Sequence, residues 1–334
     1  MSQQEHPFAE YVRILGKGRN GSRGLTGDEM RDAMRMVMRH EVEPIQLGAF
    51  LMLMRVKEES PEEVAAAVEA VRESLTIPAN APKPDLDWSS YAGKKRVLPW
   101  YLLATLLMAE NGIRIFMHGA AGHTAGRIYT KDVLPQLGIP VAQSMDEAAS
   151  QLEKNNFCYL DLEQMSPRLH EIIELRPLLG LRSPVHTIAR MLNPFNADHV
   201  IQGIFHPGYR PTHQEAGQLL NIPHLTVIKG EGGEIERNPD MDVLVQGVHN
   251  GEMTEEEWPA MFSKRHVRPD EMDVNNLIAL WNGDIQDEYA EGAVIGTVAV
   301  SLFTLGRAAS REEAEAQARA MWDARNRTRF ATAA

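Results

Sequence analysis

Between residues 26 and 76 the apolar positions recur at helical spacing. Met30, Met34, Val37 and Met38 repeat every three to four residues, and Thr26 with Glu29 three positions on makes a capping box ahead of them. Ser60, Pro61 and Glu63 repeat that grammar before the run VAAAVEAVRESL: the serine caps, the proline suits the first helical position, and the glutamate closes the box. The opening residues therefore read as a small helical unit ending near residue 77. The stretch IPANAPKPDLDW, proline-rich and without helical period, reads as a linker. Beyond it come a helix near Leu98 to Ala109 and the strand-like runs IRIFMHG, FCYLDL, HVIQGIFH, HLTVIKG and DVLVQG. Strands alternating with helical segments predict a mostly parallel sheet covered on both faces. Leu277 to Leu305, and Arg311 to Ala324 after a Ser310 cap, read as two closing helices.

A length of 334 residues suits about two domains. No apolar stretch reaches the roughly 18 residues of a membrane span, and MSQQEHPFAEY lacks the basic and apolar regions of a secretory signal, so a cytoplasmic location is expected. The single cysteine, Cys158, can form neither an intrachain disulfide nor a cysteine-rich zinc site and reads as a buried small hydrophobe. His118 and His123, five apart and without a third ligand, do not suggest zinc, and His206 and His213 around PGYRPT carry no assigned role. Gly16, Gly18 and Gly21 satisfy GxGxxG but follow a helical stretch, the wrong context for a dinucleotide. Neither a GxSxG elbow nor a GK[ST] phosphate loop occurs.

A net charge of −12 argues against generic polyanion binding, because phosphate affinity comes from lysine and arginine. One segment departs from that balance. Arg13, Lys17, Arg19, Arg23, Arg31, Arg35 and Arg39 face only Asp28, Glu29 and Asp32, a local +4. Arg31, Arg35 and Arg39 recur every four residues and share a helix face, which fits either an ordinary solvated surface or a phosphate-binding one.

The text LTGDEMRDAMRMVMRHEVEPIQLGAFLMLMRVKEESPEEVAAAVEAV resembles the opening helices of anthranilate phosphoribosyltransferases, and RPLLGLRSPVHTIARMLNP resembles that family's arginine, LGxR and terminal NP at ungapped spacing. NGIRIFMHGAAG, HLTVIKGEGGE and the closing helices extend the likeness over nearly the whole chain. The resemblance implies an α/β fold of the nucleoside phosphorylase/phosphoribosyltransferase catalytic-domain type: a small helical domain plus a larger α/β domain with a mostly parallel central sheet. It places residues 1–77 and about 164–188 in the helical, dimerising domain and 78–163 with 189–334 in the α/β domain. It also puts the ligand cleft between the two and makes the protein a homodimer.

The resemblance further implies which site parts should exist. A glycine-rich diphosphate loop falls on Ser89, Ser90, Tyr91, Ala92 and Gly93, where Tyr91 and Ala92 carry side chains the family lacks. The KHGNR motif is MHGAA here, keeping His118 and Gly119 but losing the lysine and asparagine. The magnesium-binding acidic pair falls on Ile235 and Glu236; Glu231 and Glu234 lie close by and are more often merely solvated in such a turn. Arg176 matches the arginine that meets the acceptor carboxylate, although an arginine at a helix end can also serve structure alone. Groups that act as a unit fail as a unit, so anthranilate phosphoribosyltransferase activity is expected to be absent. No metal site is assigned and no cofactor is expected, magnesium entering only with a surviving transferase activity.

Two functions stay open. One subgroup with this scaffold has lost the substrate motifs and binds DNA or RNA without sequence preference, and the LRSPVHTIARMLNP and KGEGGEIERNP stretches are similar to it. Lys17, Arg19, Arg23, Lys94, Lys95, Arg96, Arg127 and Lys131 would then contact phosphates of single- or double-stranded nucleic acid. The alternative is a glycosyl or phosphoribosyl transfer to an acceptor other than anthranilate, with His118, Arg176 and Glu236 as surviving site residues.

Overall fold

A computed structural model describes residues 4–122, 124–269 and 271–330. The chain opens with α1 (Ala9–Gly16), α2 (Gly27–Met38), α3 (Pro44–Lys57) and α4 (Pro61–Glu73). Both expected capping boxes are formed: Thr26 and Ser60 accept from the backbone N–H of Glu29 and Glu63, whose side chains reach back. The apolar stripe of α2 faces α4, so Met30, Ala33, Met34 and Val37 are buried against Val64, Ala67, Val68 and Val71.

The sheet runs β1 (Leu86–Ser90), β2 (Ile115–Gly119), β3 (Phe157–Asp161), β4 (His199–Ile204), β5 (His224–Lys229), β6 (Val243–His249) and β7 (Glu252–Trp258), in the spatial order β3-β2-β1-β4-β5-β6-β7. Pairs among β1 to β5 are parallel; β6 and β7 join antiparallel. Strand alternation divides the side chains between two cores. Phe116, Cys158, Leu160 and Val200 join the helical-bundle core on one face. Ile115, Met117, Phe157, Tyr159 and Ile201 pack on the other.

Covering elements follow: α5 (Tyr101–Glu110), α6 (Thr130–Val133), α7 (Met145–Asn155), α8 (Leu162–Met165), α9 (Pro167–Ile173), α10 (Arg176–Leu179), α11 (Val185–Arg190), α12 (Arg210–Leu219), α13 (Asn275–Asn282), α14 (Glu288–Thr304) and α15 (Arg311–Asp323). α5 and α14 are apolar on every side because both are sandwiched between the sheet and other elements. The segment after β3 returns to the bundle. Arg168 Nε donates to the Val37 carbonyl at 3.1 Å, and Arg72 on α4 donates to the Leu192 and Met191 carbonyls.

Three expectations need correction. The end of the supposed linker is a central strand: Leu86, Asp87 and Trp88 begin β1, which is buried throughout and pairs with β2 and β4. The single closing helix from Leu277 is two, because Gly283 takes a left-handed conformation and Asp287 caps a fresh start. β7 was not expected, since EMTEEEW is charged, and its exposure on the sheet edge explains the composition.

Candidate functional site

β1 delivers Ser89 and Ser90, and the chain then turns through Tyr91, Ala92 and Gly93, the last at φ 65°. That turn points two successive backbone N–H groups in one direction, an arrangement suited to an anion. A carboxylate of the same chain fills it. The N–H groups of Ala92 and Gly93 both donate to Glu234 Oε1 at 2.6 Å. Close by, Tyr101 N–H at the start of α5 donates to Glu236 Oε2 at 2.9 Å, so a carboxylate also occupies the positive end of that helix. The other oxygen of Glu236 takes the Lys94 ammonium at 2.6 Å, with Lys94 1% and Glu236 0% exposed. Burial pushes the Glu236 carboxyl up against the pull of Lys94.

The loop carrying both glutamates is seated by close backbone approach: a methyl on Gly230 would run into the Glu234 carbonyl, and one on Gly203 would lie 2.6 Å from the Glu234 backbone. Arg127 ties it to the first loop, its Nη1 donating to the carbonyls of Ala92, Gly93 and Gly232.

These contacts decide the fate of the expected site positions. His118 is fully buried between Tyr91 OH (2.8 Å from Nδ1) and Asp87 Oδ1 (3.3 Å from Nε2), and so cannot meet a ligand in the cleft. Gly119 serves packing, because a methyl there would strike the Ser90 carbonyl. The magnesium position does not fit a hard cation: Ile235 lies in the core and both oxygens of Glu236 are committed. Glu234 is buried rather than solvated, correcting the reading of that turn.

The basic residues are dispersed as well. Lys94, expected on phosphate, is sealed inside with Glu236. Arg127 faces loop carbonyls, Lys131 lies 3.4 Å from Asp161 and 3.6 Å from Glu163, and Arg23 is paired twice with Glu29 at 2.6 Å. Lys17, Arg19, Lys95 and Arg96 are exposed. The arginine face of α2 is neutralised pair by pair: Arg31 by Asp28 and Glu69, Arg35 by Asp32 and Glu73, Arg39 by Glu41. Asp161, Glu163 and His170 also approach one another, but the Lys131 ammonium sits against the first two. His123 lies outside the described residues.

What the sequence did not reveal is a cluster of arginines in the cleft. Arg176 and Arg182 both donate to Thr124 Oγ1. Arg190 lies over the Tyr91 ring at 5.8 Å and donates to the His186 carbonyl. Burial, and then the charges of Arg190, Arg127 and Arg176, pull the Arg182 guanidinium down to about 10. Cations that repel one another in a half-buried cleft form a site for an anion. Three of the four, Arg176, Arg182 and Arg190, lie in the RPLLGLRSPVHTIARMLNP stretch; their approach to Arg127 is a product of the fold.

Two domain descriptions match this chain: the glycosyl transferase family helical bundle domain over residues 12–75, and its a/b domain over residues 101–324. An uncharacterized protein of Aquifex aeolicus is 28% identical over 320 residues, 92% of this chain and 96% of the relative. An anthranilate phosphoribosyltransferase of Ralstonia pickettii is 28% identical over 239 residues, 70% of this chain and 69% of its own. Among solved structures, the anthranilate phosphoribosyltransferase of Thermus thermophilus superposes with a TM-score of 0.79 at 22% identity, covering 95% of this chain and 94% of that one. The Saccharomyces cerevisiae enzyme in complex with PRPP and Mg gives 0.78 at 16% identity, covering 98% and 96%.

Proposed function

Because this chain belongs to the glycosyl transferase family and is an anthranilate phosphoribosyltransferase-like protein, we propose that it has exchanged the family's diphosphate chemistry for binding nucleic-acid phosphates in its arginine cleft. One observation supports the reading: the backbone N–H groups suited to a diphosphate already hold Glu234 and Glu236, while Arg176 and Arg182 meet on Thr124 Oγ1, Arg182 and Arg190 line one cavity, and Arg127 lies near enough for its charge to act on Arg182. A second anion brought to the Ala92–Gly93 amides would meet a buried carboxylate and be repelled. An anion in the cleft relieves the mutual repulsion of the guanidiniums and gains charge-assisted hydrogen bonds. Exposed Lys17, Arg19, Lys95 and Arg96 add to the attraction at longer range. Contacts of this kind read the backbone and not the bases, so the binding is sequence-tolerant.

The helical bundle is the surface on which two copies pair. Ile45 on α3 and Leu178 on α10, 82% and 84% exposed, support this choice, since large apolar side chains left bare to solvent favour association. Among the described residues, no helix is long and apolar enough to cross a membrane.

The test is fluorescence anisotropy of a labelled single-stranded oligonucleotide across a salt series. Four phosphates held by four arginines give a slope of log K on log salt of about −3, and Arg182→Ala reduces its magnitude by about 0.7. Absence of binding at low salt, or a slope the variant does not change, sinks the proposal. A second reading, transfer of a sugar group to a small anionic acceptor, is favoured by the modest size of the cleft cavity, about 140 Å³. It calls for a donor that does not need the occupied amides.

A further inference from the structure

The amide loop follows the C-terminal end of β1, and Phe205 and His206 of the cleft follow that of β4. At the opposite end of the sheet stands a row of histidines that neither functional reading uses. β4 and β5 begin on His199 and His224, β6 ends on His249, and the register sets His199 against His224 and His224 against His249. The rings of His199 and His224 are stacked, with 4.6 Å between centroids and 12° between planes. Those of His224 and His249 are inclined at 51°, and their Nδ1 atoms lie 2.8 Å apart, one ring donating to the other. An imidazole ligates a metal in the plane of its ring, so parallel stacked rings cannot share an ion, whereas an inclined pair with nitrogen facing nitrogen can. Two nitrogens each about 2.0–2.1 Å from one ion lie about 2.9 Å apart at a right angle and about 3.3 Å apart at the tetrahedral angle. The observed 2.8 Å suits the right angle. Right-angled nitrogen ligation belongs to nickel(II) and copper(II), tetrahedral ligation to zinc.

Both rings of the inclined pair are within reach of solvent. His249 is exposed, His224 is half-buried, and both line a cavity of about 360 Å³ with Thr226, Phe303, Thr304 and Ala308, which leaves room for further ligands. Burial, and then the neighbouring His199 and His249, hold the His224 imidazole below its ordinary range, in the neutral form that ligates. We propose that His224 and His249 hold a divalent nickel or copper ion across the β5–β6 junction, with water at the remaining coordination positions. The ring that donates in the present hydrogen bond moves its proton from Nδ1 to Nε2, so both Nδ1 lone pairs face the ion and no net charge is lost. His199 stays out of the coordination, its Nδ1–H donating to the Asp85 carbonyl at 3.2 Å. The ion would clamp the place where the antiparallel β6 joins the parallel sheet.

Calorimetric titration of the untagged full-length protein with nickel chloride, and separately with zinc chloride, tests this at neutral pH. Saturable one-to-one nickel binding, tighter than that of zinc, is expected. His224→Ala and His249→Ala should each weaken nickel binding about tenfold or more, since even groups that only support a ligand are worth roughly 10- to 100-fold. His199→Ala, which removes no ligand, should fall well short of that loss. One equivalent of copper(II) should give an electron paramagnetic resonance spectrum split by two imidazole nitrogens in the wild type and by one in His249→Ala. Because His249 is exposed, its alanine variant should keep the fold, which an unchanged circular dichroism spectrum verifies. Absence of saturable nickel binding, affinity unchanged in both ligand variants, a loss in His199→Ala equal to theirs, zinc bound as tightly as nickel, or a copper spectrum without two-nitrogen coupling overturns the proposal.

Discussion

Replacing Lys94 by methionine should destabilise the protein severely, through one buried carboxylate. Lys94 and Glu236 meet at 2.6 Å with almost no exposure, so the ammonium is the main compensation for a charge that has left water. Methionine keeps the apolar stem and removes the charge. Breaking a buried pair from one side costs about 3–5 kcal/mol, a large share of the roughly 5–15 kcal/mol that holds a typical domain folded. Glu236→Gln added to Lys94→Met removes the orphaned charge but keeps an acceptor for Tyr101 N–H, and should restore more than half of the loss. The pH dependence follows from the direction of the shift. Burial raises the folded-state Glu236 carboxyl above its ordinary range, and without Lys94 it rises further. A carboxyl whose folded pKa is raised is fully compatible with folding below its unfolded value, and stability is lost as pH rises through the folded one. The deficit of Lys94→Met should therefore shrink toward pH 4 and grow above it. Urea unfolding followed by circular dichroism at several pH values measures this. A cost under about 1 kcal/mol at neutral pH, or a deficit indifferent to pH, would refute the reasoning.

Further expectations are independent of that pair. Glu29, held down to about 2 chiefly by its hydrogen bonds to Arg23, contributes stability that is complete above its unfolded value near 4.5 and is lost as pH falls through about 2. Acid unfolding of Glu29→Gln should lack that component, and a wild-type-like profile would count against it. Gly230→Ala should unseat the loop bearing Glu234 and Glu236 at a cost of about 1–3 kcal/mol, read from urea midpoints. Ile45→Asp should shift the proposed dimer to monomer in light scattering without loss of helicity, and an unchanged mass would count against that pairing surface. Purified protein given anthranilate, phosphoribosyl diphosphate and magnesium should form no product above the uncatalysed background; an ordinary enzymatic rate would contradict the assignment.

Local grammar made much of the fold legible. Capping boxes at Thr26 and Ser60 and five of the seven strands follow from periodicity and caps that act within a few residues. β1 escaped because prolines just upstream of Leu86 resemble a linker, and β7 because an exposed edge strand has no apolar side to betray it. The site was legible as a set of losses. Tyr91 and Ala92 in the amide loop, and Ile235 beside Glu236, were visible as departures from a pattern. What replaced the lost chemistry was not visible. Glu234 meets Ala92 across 142 positions of sequence, and Lys94 meets Glu236 across the same interval. Pairings that distant leave no periodic trace. Counting the charges of residues 13–39 suggested a basic surface, yet most of them are spent on neighbours such as Glu69 and Glu73 from α4.

Calorimetric titration of the wild-type protein with phosphoribosyl diphosphate and magnesium tests the occupied-amide assignment most directly. With Glu234 and Glu236 holding the Ala92, Gly93 and Tyr101 N–H groups, no saturable magnesium-dependent binding is expected. Micromolar binding that requires magnesium would show that a diphosphate displaces both carboxylates, and would return this chain to the donor chemistry of its relatives.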